Sequence, residues 1–274
     1  MPSGKLYIVA TPIGNLEDIT LRALRILKEA DYVAAEDTRH SLKLLNHYGI
    51  AKPLLSYWSE REKARAETII SKLRDGYSVA VISDAGTPGI SDPGAVVIKR
   101  AIEEGFTIVP IPGPSALVAA LSISGLPNEE FTFIGFLPSK AGRRQKKLEE
   151  LKRESRTMIF YEAPHRLIAA LTDIEDVFGP RQAAVVKEIT KLHETILRGA
   201  LTSVIEALGD MTIAGEYVII VQGAPKMTIT MEEALIEIKS LMKKGHGRKE
   251  AARIVSGAYG LSKKDLYDGS LAEN

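Results

Sequence analysis

Three loops dense in glycine, proline and small polar residues, each on the heels of a short apolar run, constrain this chain more than any other feature. They are Thr11–Asn15 (TPIGN), Ser83–Gly94 (SDAGTPGISDPG) and Pro110–Ala116 (PIPGPSA). The preceding runs, Leu6–Ala10, Val79–Ser83 and Thr107–Ile111, lack polar alternation, as does Tyr32–Ala35. Continuous apolar runs of this length read as strands buried on both faces of a parallel sheet. Helical patterns fill the gaps: one capped by Thr20 and carrying Leu21, Leu24 and Leu27, one carrying Leu42, Leu44 and Leu45, one over Ser59–Arg74 and one over Val96–Glu104. Short β-to-α steps with right-handed crossovers then give an α/β unit with helices on both faces.

The pattern changes at Pro110–Pro114, where three prolines in five residues cannot sit inside a central strand. After a small-residue helix over Ser115–Ser124, strands are expected at Phe131–Phe136, Thr157–Tyr161, Ala183–Lys187, Thr195–Arg198 and Tyr217–Gln222, with helices at Arg144–Arg153 and His165–Phe178. Their irregular spacing suggests a mixed sheet. From Met231 the chain reads as short helices, with a break at Gly245–Gly247 and a helix–glycine turn–helix over Arg248–Tyr267 that has Gly260 at its turn. Domains are therefore expected at residues 1–113 (α/β), 114–228 (α/β) and 231–274 (helical).

Composition excludes several chemistries. With no cysteine among 274 residues, thiol nucleophiles and cysteine-ligated clusters are impossible. The five histidines show no metal-ligand spacing, so no metal is expected. Lys+Arg (36) and Asp+Glu (35) nearly cancel, so only local clusters could attract a polyanion. No apolar stretch reaches the length of a membrane span or a signal segment, and a soluble, cytoplasmic protein is expected.

In parallel α/β sheets, ligands bind beyond the carboxyl ends of the strands, where the three loops should converge. The first loop has one glycine where a dinucleotide fingerprint needs three, and no phosphate-loop pattern occurs. Asp92, within Asp-Pro-Gly, reads as a turn or helix-start residue, which makes Ser91–Gly94 scaffold.

The segments LYIVATPIGNLEDIT, AEDTRHSLKLL, SDAGTPGISDPG, PIPGPSALVAALSISGLP, GFLP, YEAPHR and KEITKLHET together resemble the ribosomal RNA small subunit methyltransferase I family. That family is similar in fold to the tetrapyrrole methylases, the class III S-adenosylmethionine methyltransferases. The resemblance spans Leu6 to about Gly223. It implies two α/β domains with S-adenosylmethionine in the cleft between them, and 2′-O-methylation of a cytidine ribose in the decoding region of 16S ribosomal RNA. It also implies a homodimer acting on 16S rRNA or the small ribosomal subunit. The TPIGNLED loop departs from the glycine-rich first loop of the pigment-making relatives, which disfavours a tetrapyrrole C-methyltransferase. A non-catalytic RNA-binding protein is the third alternative.

By position, Pro12 and Ile13 resemble the first-loop wall of the cofactor site, and Asp84, Gly86 and Thr87 its central contact loop. Ser115 and Ala116 resemble the residues whose backbone faces the cofactor, and Tyr161, Glu162 and Ala163 the segment near the adenine. Asp84 could accept from the cofactor or stabilise its own loop in an Asx turn.

Candidates for removing the hydroxyl proton lie in AEDTRH (Glu36, Asp37, Arg39) and KEITKLHE (Lys187, Glu188). Equally, Asp37 or Thr38 could cap a helix with Arg39 paired to an acid. Strand alternation past Lys187 would put Lys187, Ile189 and Lys191 on one face. RNA needs phosphate contacts. Five basic residues without an acid, Lys140, Arg143, Arg144, Lys146 and Lys147, form one cluster. Lys239–Lys264 forms a second, with eight basic residues against one acid, including Lys243, Lys244, Arg248, Lys249, Arg253, Lys263 and Lys264. Trp58 could stack on a base or anchor the surface.

Overall fold

Sheet one is fully parallel, and every strand in it is short. In the computed structural model, which describes residues 4–57, 62–225 and 229–272, it contains β1 (Lys5–Val9), β2 (Tyr32–Ala35), β3 (Leu54–Ser56), β4 (Val79–Ile82) and β5 (Thr107–Ile111) in the order β3-β2-β4-β1-β5. Helices α1 (Leu21–Glu29) and α2 (Thr38–His47) cover one face, and α3 (Glu62–Arg74) and α4 (Ala95–Glu103) the other. Alternate residues serve the two faces. Leu6, Ile8, Val79 and Val81 pack on Ile70, Leu73 and Val97, while Val9, Ala80 and Ile82 pack on Ile26 and Leu27. Each fully buried aliphatic side chain contributes about 1.5–3 kcal/mol, which is why these strands carry no polar alternation. Thr20 caps α1 by accepting from Ala23 N–H.

Two features of this sheet bear on the expectations. Pro110 lies inside β5, which is tolerated because β5 is an edge strand. The other edge, β3, was not expected: three residues are too few for a periodicity to register.

Sheet two is mixed. It runs β6 (Phe131–Phe136), β7 (Thr157–Glu162), β10 (Tyr217–Val221), β8 (Gln182–Lys187), β9 (Thr195–Ala200), with only β6 and β7 parallel. The central strand β10 (YVIIV) is buried throughout. Helix α5 (Ala116–Ser124) covers one face through Ala120 and Leu121 against Ile159, Val186 and Ile220. Helices α6 (Ala141–Leu151), α7 (Leu167–Phe178) and α8 (Leu201–Gly209) cover the other. Helix α8 was also not expected; it starts directly where β9 ends, with no turn residue to mark it.

The chain divides into two compact units, Met1–Gly223 and Ala224–Asn274. Both sheets belong to the first, and the expected 113/114 boundary falls between β5 and α5. The second unit comprises α9 (Met231–Lys243), α10 (Arg248–Tyr259) and α11 (Lys263–Ala272) around Ala234, Leu235, Ile238, Ala251, Ala252, Val255 and Leu266. Thr230 and Glu233 form a reciprocal capping box at α9, and Gly260 ends α10 in the left-handed region. Among the described residues no helix is long and apolar enough to cross a membrane.

Candidate functional site

Because β4, β1 and β5 are neighbours and parallel, the loops that follow them leave the sheet side by side. The chain then stitches them together. Thr11 and Gly86 exchange both backbone hydrogen bonds, at 2.9 and 3.1 Å, and the Thr11 hydroxyl donates to the Ser83 carbonyl at 3.1 Å. The Thr87 hydroxyl donates to the Pro114 carbonyl at 3.5 Å, which ties the second loop to the third. Gly113 lets the third loop approach the first: a β-carbon there would lie 2.9 Å from that of Ala10.

Against this edge sheet two closes a cavity of about 350 Å³, within the range of small-molecule sites. Sheet one contributes Ile13, then Ala85, Gly86, Thr87, Ile90, Ser91 and Asp92, then Ser115 and Ala116. Sheet two contributes Phe136, the segment from Tyr161 to Pro164, Ile189, and the segment from Gly215 to Val218. The Tyr161 hydroxyl accepts the Leu117 N–H at 3.1 Å, so β7 is tied to the first turn of α5. Burial, and to a lesser degree the nearby Asp92 charge, raise the Tyr161 hydroxyl pKa. Ser115 makes no side-chain cap at the α5 N-terminus. That first turn therefore presents backbone donors and the positive end of a helix at the cavity wall.

Of the residues expected at the cofactor, Ile13, Gly86, Thr87, Ser115, Ala116, Tyr161, Glu162 and Ala163 line this cavity. Pro12 and Asp84 do not. Pro12 is buried behind the wall. Asp84 instead accepts the Asp37 N–H at 3.1 Å, which joins the second loop to the turn after β2. The expectation that Ser91–Gly94 is scaffold needs correction, since Ser91 and Asp92 face the cavity. Ser91 holds a left-handed backbone (φ 65°), which only the surrounding structure can stabilise in a non-glycine residue.

Glu36, Asp84 and Asp92 form an acidic group beside the cavity. Burial first, then the Asp92 and Asp84 charges, push the Glu36 pKa up. Burial raises Asp92 as well, aided by the Asp84 charge and opposed by a hydrogen bond with Ser83.

The remaining candidates are engaged elsewhere. Asp37 caps α2 by accepting Arg39 N–H at 2.8 Å, and Arg39 pairs with it at 3.3 Å in solvent. The Arg39 hydrogen bond lowers the Asp37 pKa. Lys187 donates to the Thr212 carbonyl at 2.8 Å. The strand alternation expected past Lys187 is not present: β8 ends there, and Glu188 (φ 51°) and Thr190 (φ 67°) turn left-handed. Glu188 accepts from Lys191 Nζ and from Glu216 N–H, both at 2.8 Å. Burial alone would raise its pKa, but these donors together hold it low.

Among the basic clusters, Arg144, expected to contact RNA, is buried instead. It is 5% exposed and pairs with buried Asp173 at 2.5 Å, joining α6 to α7. Lys140, Arg143 and Lys146 are exposed, and Lys147 pairs with Glu150 at 3.2 Å. In the second unit Lys243 and Lys244 are exposed where α9 ends, and Arg253 on α10. Helices α10 and α11 each begin with two basic residues, Arg248 with Lys249 and Lys263 with Lys264, and Lys249, Lys263 and Lys264 share a groove with Tyr267. Trp58 lies outside the described residues. No cluster of three or more metal-type side chains occurs among the described residues.

Sequence reasoning missed Ile90, Phe136, Pro164, Ile189 and the segment Gly215–Val218. Phe136, in GFLP at a strand end, and Ile189, in KEIT, sit in motifs whose side chains had no assigned place.

Comparison with known proteins agrees with this fold. Residues 5–205 match the family of tetrapyrrole (corrin/porphyrin) methylases. Ribosomal RNA small subunit methyltransferase I of Halalkalibacterium halodurans is 45% identical over 97% of this chain and 94% of its own length. The enzyme of the same name from Thermotoga maritima is 45% identical over 99% of its length but only 80% of this chain. About a fifth of this chain thus has no counterpart in it. Among solved structures, uroporphyrin-III C-methyltransferase from Thermus thermophilus, complexed with S-adenosylhomocysteine, superimposes with a TM-score of 0.57. It is 21% identical over 80% of this chain and 97% of its own.

Proposed function

Because the chain belongs to the tetrapyrrole methylase family, as an S-adenosylmethionine-dependent methyltransferase of the ribosomal RNA small subunit methyltransferase I kind, we propose that it methylates the ribose 2′-hydroxyl of a cytidine in the decoding region of 16S ribosomal RNA. The observation that carries this reading is the 45% identity, across nearly the whole chain, to a protein named as a methyltransferase of small-subunit ribosomal RNA.

The cavity's donor set suits the cofactor. When bound, it supplies a sulfonium-activated methyl group, so the difficult bond chemistry comes ready-made. Ile13, Ile189 and Val218 offer apolar walls, the uncapped first turn of α5 at Ser115–Ala116 offers donors for a carboxylate, and Asp92 offers negative charge to cationic groups. The protein's remaining work is to hold the ribose oxygen in line and to take its proton. Positioning supplies most of the rate, and a base adds about 10²–10⁴-fold. Asp92 is the best placed proton acceptor, since it lines the cavity and burial raises its basicity. Glu36 stands behind it as a second acid.

RNA contact is assigned to two surfaces, one on α6 (Lys140, Arg143, Lys146, Lys147) and one on the helical unit (Lys243, Lys244, Arg248, Lys249, Arg253, Lys263, Lys264). At the starts of α10 and α11 two basic residues stand against one first-turn acid, Glu250 or Asp265, a balance that suits a docked anion at each helix N-terminus. An rRNA substrate puts the protein in the cytoplasm. A homodimer is supported by large apolar side chains left in water, led by Leu192 at 93% exposure.

The test is incubation of the protein with tritiated S-adenosylmethionine and undermethylated small subunits. Label that makes one cytidine resistant to alkaline cleavage is the expected result. Label only in an added porphyrinoid, or RNA binding with no label, overturns the proposal.

A further inference from the structure

Phe136 closes β6 at the cavity wall, yet 55% of it is exposed. The other aromatic residues on that wall are occupied: Tyr161 through its bond to Leu117, and Tyr217 at 3% exposure. The Phe136 ring sits edge-on to Tyr161, with centroids 5.8 Å apart and planes at 65°, and Tyr161 is braced in turn by Phe133 at 5.0 Å. Its tilt is therefore set by neighbours although water covers much of it. Ile90, on the Ser83–Gly94 loop, lines the same cavity and is 46% exposed. Two large apolar side chains that line one cavity and stay wet favour an apolar occupant, because covering them removes apolar surface from water.

We propose that Phe136, with Ile90 lining the same cavity, is the stacking platform for the base of the nucleotide being methylated. The inference rests on the RNA reading above. A ribose cannot bring its 2′-oxygen to a methyl group inside a cleft while its base stays stacked in the RNA, so the base must leave its neighbours. An aromatic face at the mouth returns the stacking lost on extrusion, and it does so for any base, because every base has a π-face. Phe136 thus supplies affinity and orientation, and base identity is read elsewhere.

The test uses the full-length protein with Phe136→Ala, Phe136→Leu and Phe136→Trp, each measured for methylation of undermethylated small subunits, S-adenosylmethionine affinity by calorimetry, and oligomeric state by sedimentation. Phe136→Ala should lower kcat/KM for the subunit about 10- to 100-fold, with cofactor affinity and oligomeric state unchanged. Phe136→Leu, which keeps apolar bulk without a ring, should stay impaired, and Phe136→Trp should recover wild-type rates. Equal rates in Phe136→Ala and wild type overturn the inference, as does a parallel loss of cofactor affinity, which would place the ring against the cofactor. A changed oligomeric state also overturns it, by putting the ring between subunits. A wild-type protein that labels no RNA overturns the RNA reading itself and the platform with it.

Discussion

Gly215 lies directly over the carboxylate of Glu188, so close that a β-carbon on Gly215 would collide with the carboxylate carbon. Gly215 also holds a left-handed backbone, φ 88°. The contact lets Glu188 accept the Glu216 N–H and positions the Gly215–Glu216 wall of the cavity. Gly215→Ala is therefore predicted to cost about 1–3 kcal/mol through backbone strain and to weaken cofactor binding. Urea unfolding alongside calorimetry checks both; a variant with wild-type values for each would show the contact to be dispensable.

Stability should depend on pH through Asp92 and Glu36. Their folded pKa values are raised, chiefly by burial. The folded state then holds more protons than the unfolded state just above the ordinary carboxylate range, about 4. Stability falls as pH rises through that window, and the penalty is fully present above the folded pKa values. Asp92→Asn should consequently be more stable than wild type at pH 7, with the advantage shrinking as pH falls toward 4. Its methylation rate should drop. Denaturant midpoints across pH decide the first point; a constant difference would mean that ionisation is not its source.

Asp84 acts at one remove, through the Asp37 N–H. Asp84→Ala leaves that half-buried donor without its partner and is predicted to lower cofactor affinity about 10-fold. Asp84→Asn retains an acceptor oxygen and should restore most of it. If both variants lose affinity equally, the negative charge rather than the tie is what counts.

Removal of residues 224–274 should leave cofactor affinity intact while reducing RNA affinity. The Thermotoga maritima relative, matched over nearly all its length by 80% of this chain, fits a first unit able to stand alone. Plots of log affinity against log salt should become shallower as phosphate contacts are lost. An unchanged slope would make the helical unit a bystander to RNA.

Arg144 and Arg143, adjacent in sequence, should behave oppositely. Arg144→Ala abandons Asp173 in the core and is predicted to destabilise by about 3–5 kcal/mol, with an unchanged salt slope. Arg143→Ala should hardly change the melting temperature but should weaken RNA binding. Thermal melts and salt titrations of the two variants separate the roles.

The parallel sheet was legible because Leu6–Ala10 and Val79–Ser83 must be buried on both faces, and Gly/Pro-rich loops mark where such strands end. The cavity wall was legible where motifs named residues one by one, as at Gly86, Ser115 and Tyr161. What could not be read is where one residue serves two purposes. Asp92 sits in a strong turn signal and faces the cavity as well. Arg144 lies in a basic run, yet the helical turn points it inward. Glu188 and Thr190 break strand alternation by taking left-handed conformations, which no rule for β-branched or acidic residues anticipates. Strand β3 and helix α8 escaped because the first is too brief and the second has no punctuation.

The placing of the cavity between two sheets also governs when the site comes into being during synthesis. The first three loops are present once residue 116 has left the ribosome, but their opposite wall needs Gly215–Val218, almost at the end of the first unit. A nascent chain can build its parallel sheet and still have nowhere to bind the cofactor. With the cofactor in the cavity proposed for it, binding would wait for a finished unit and by mass action would stabilise both sheets together. A break in either sheet removes binding capacity before it removes the fold of the other.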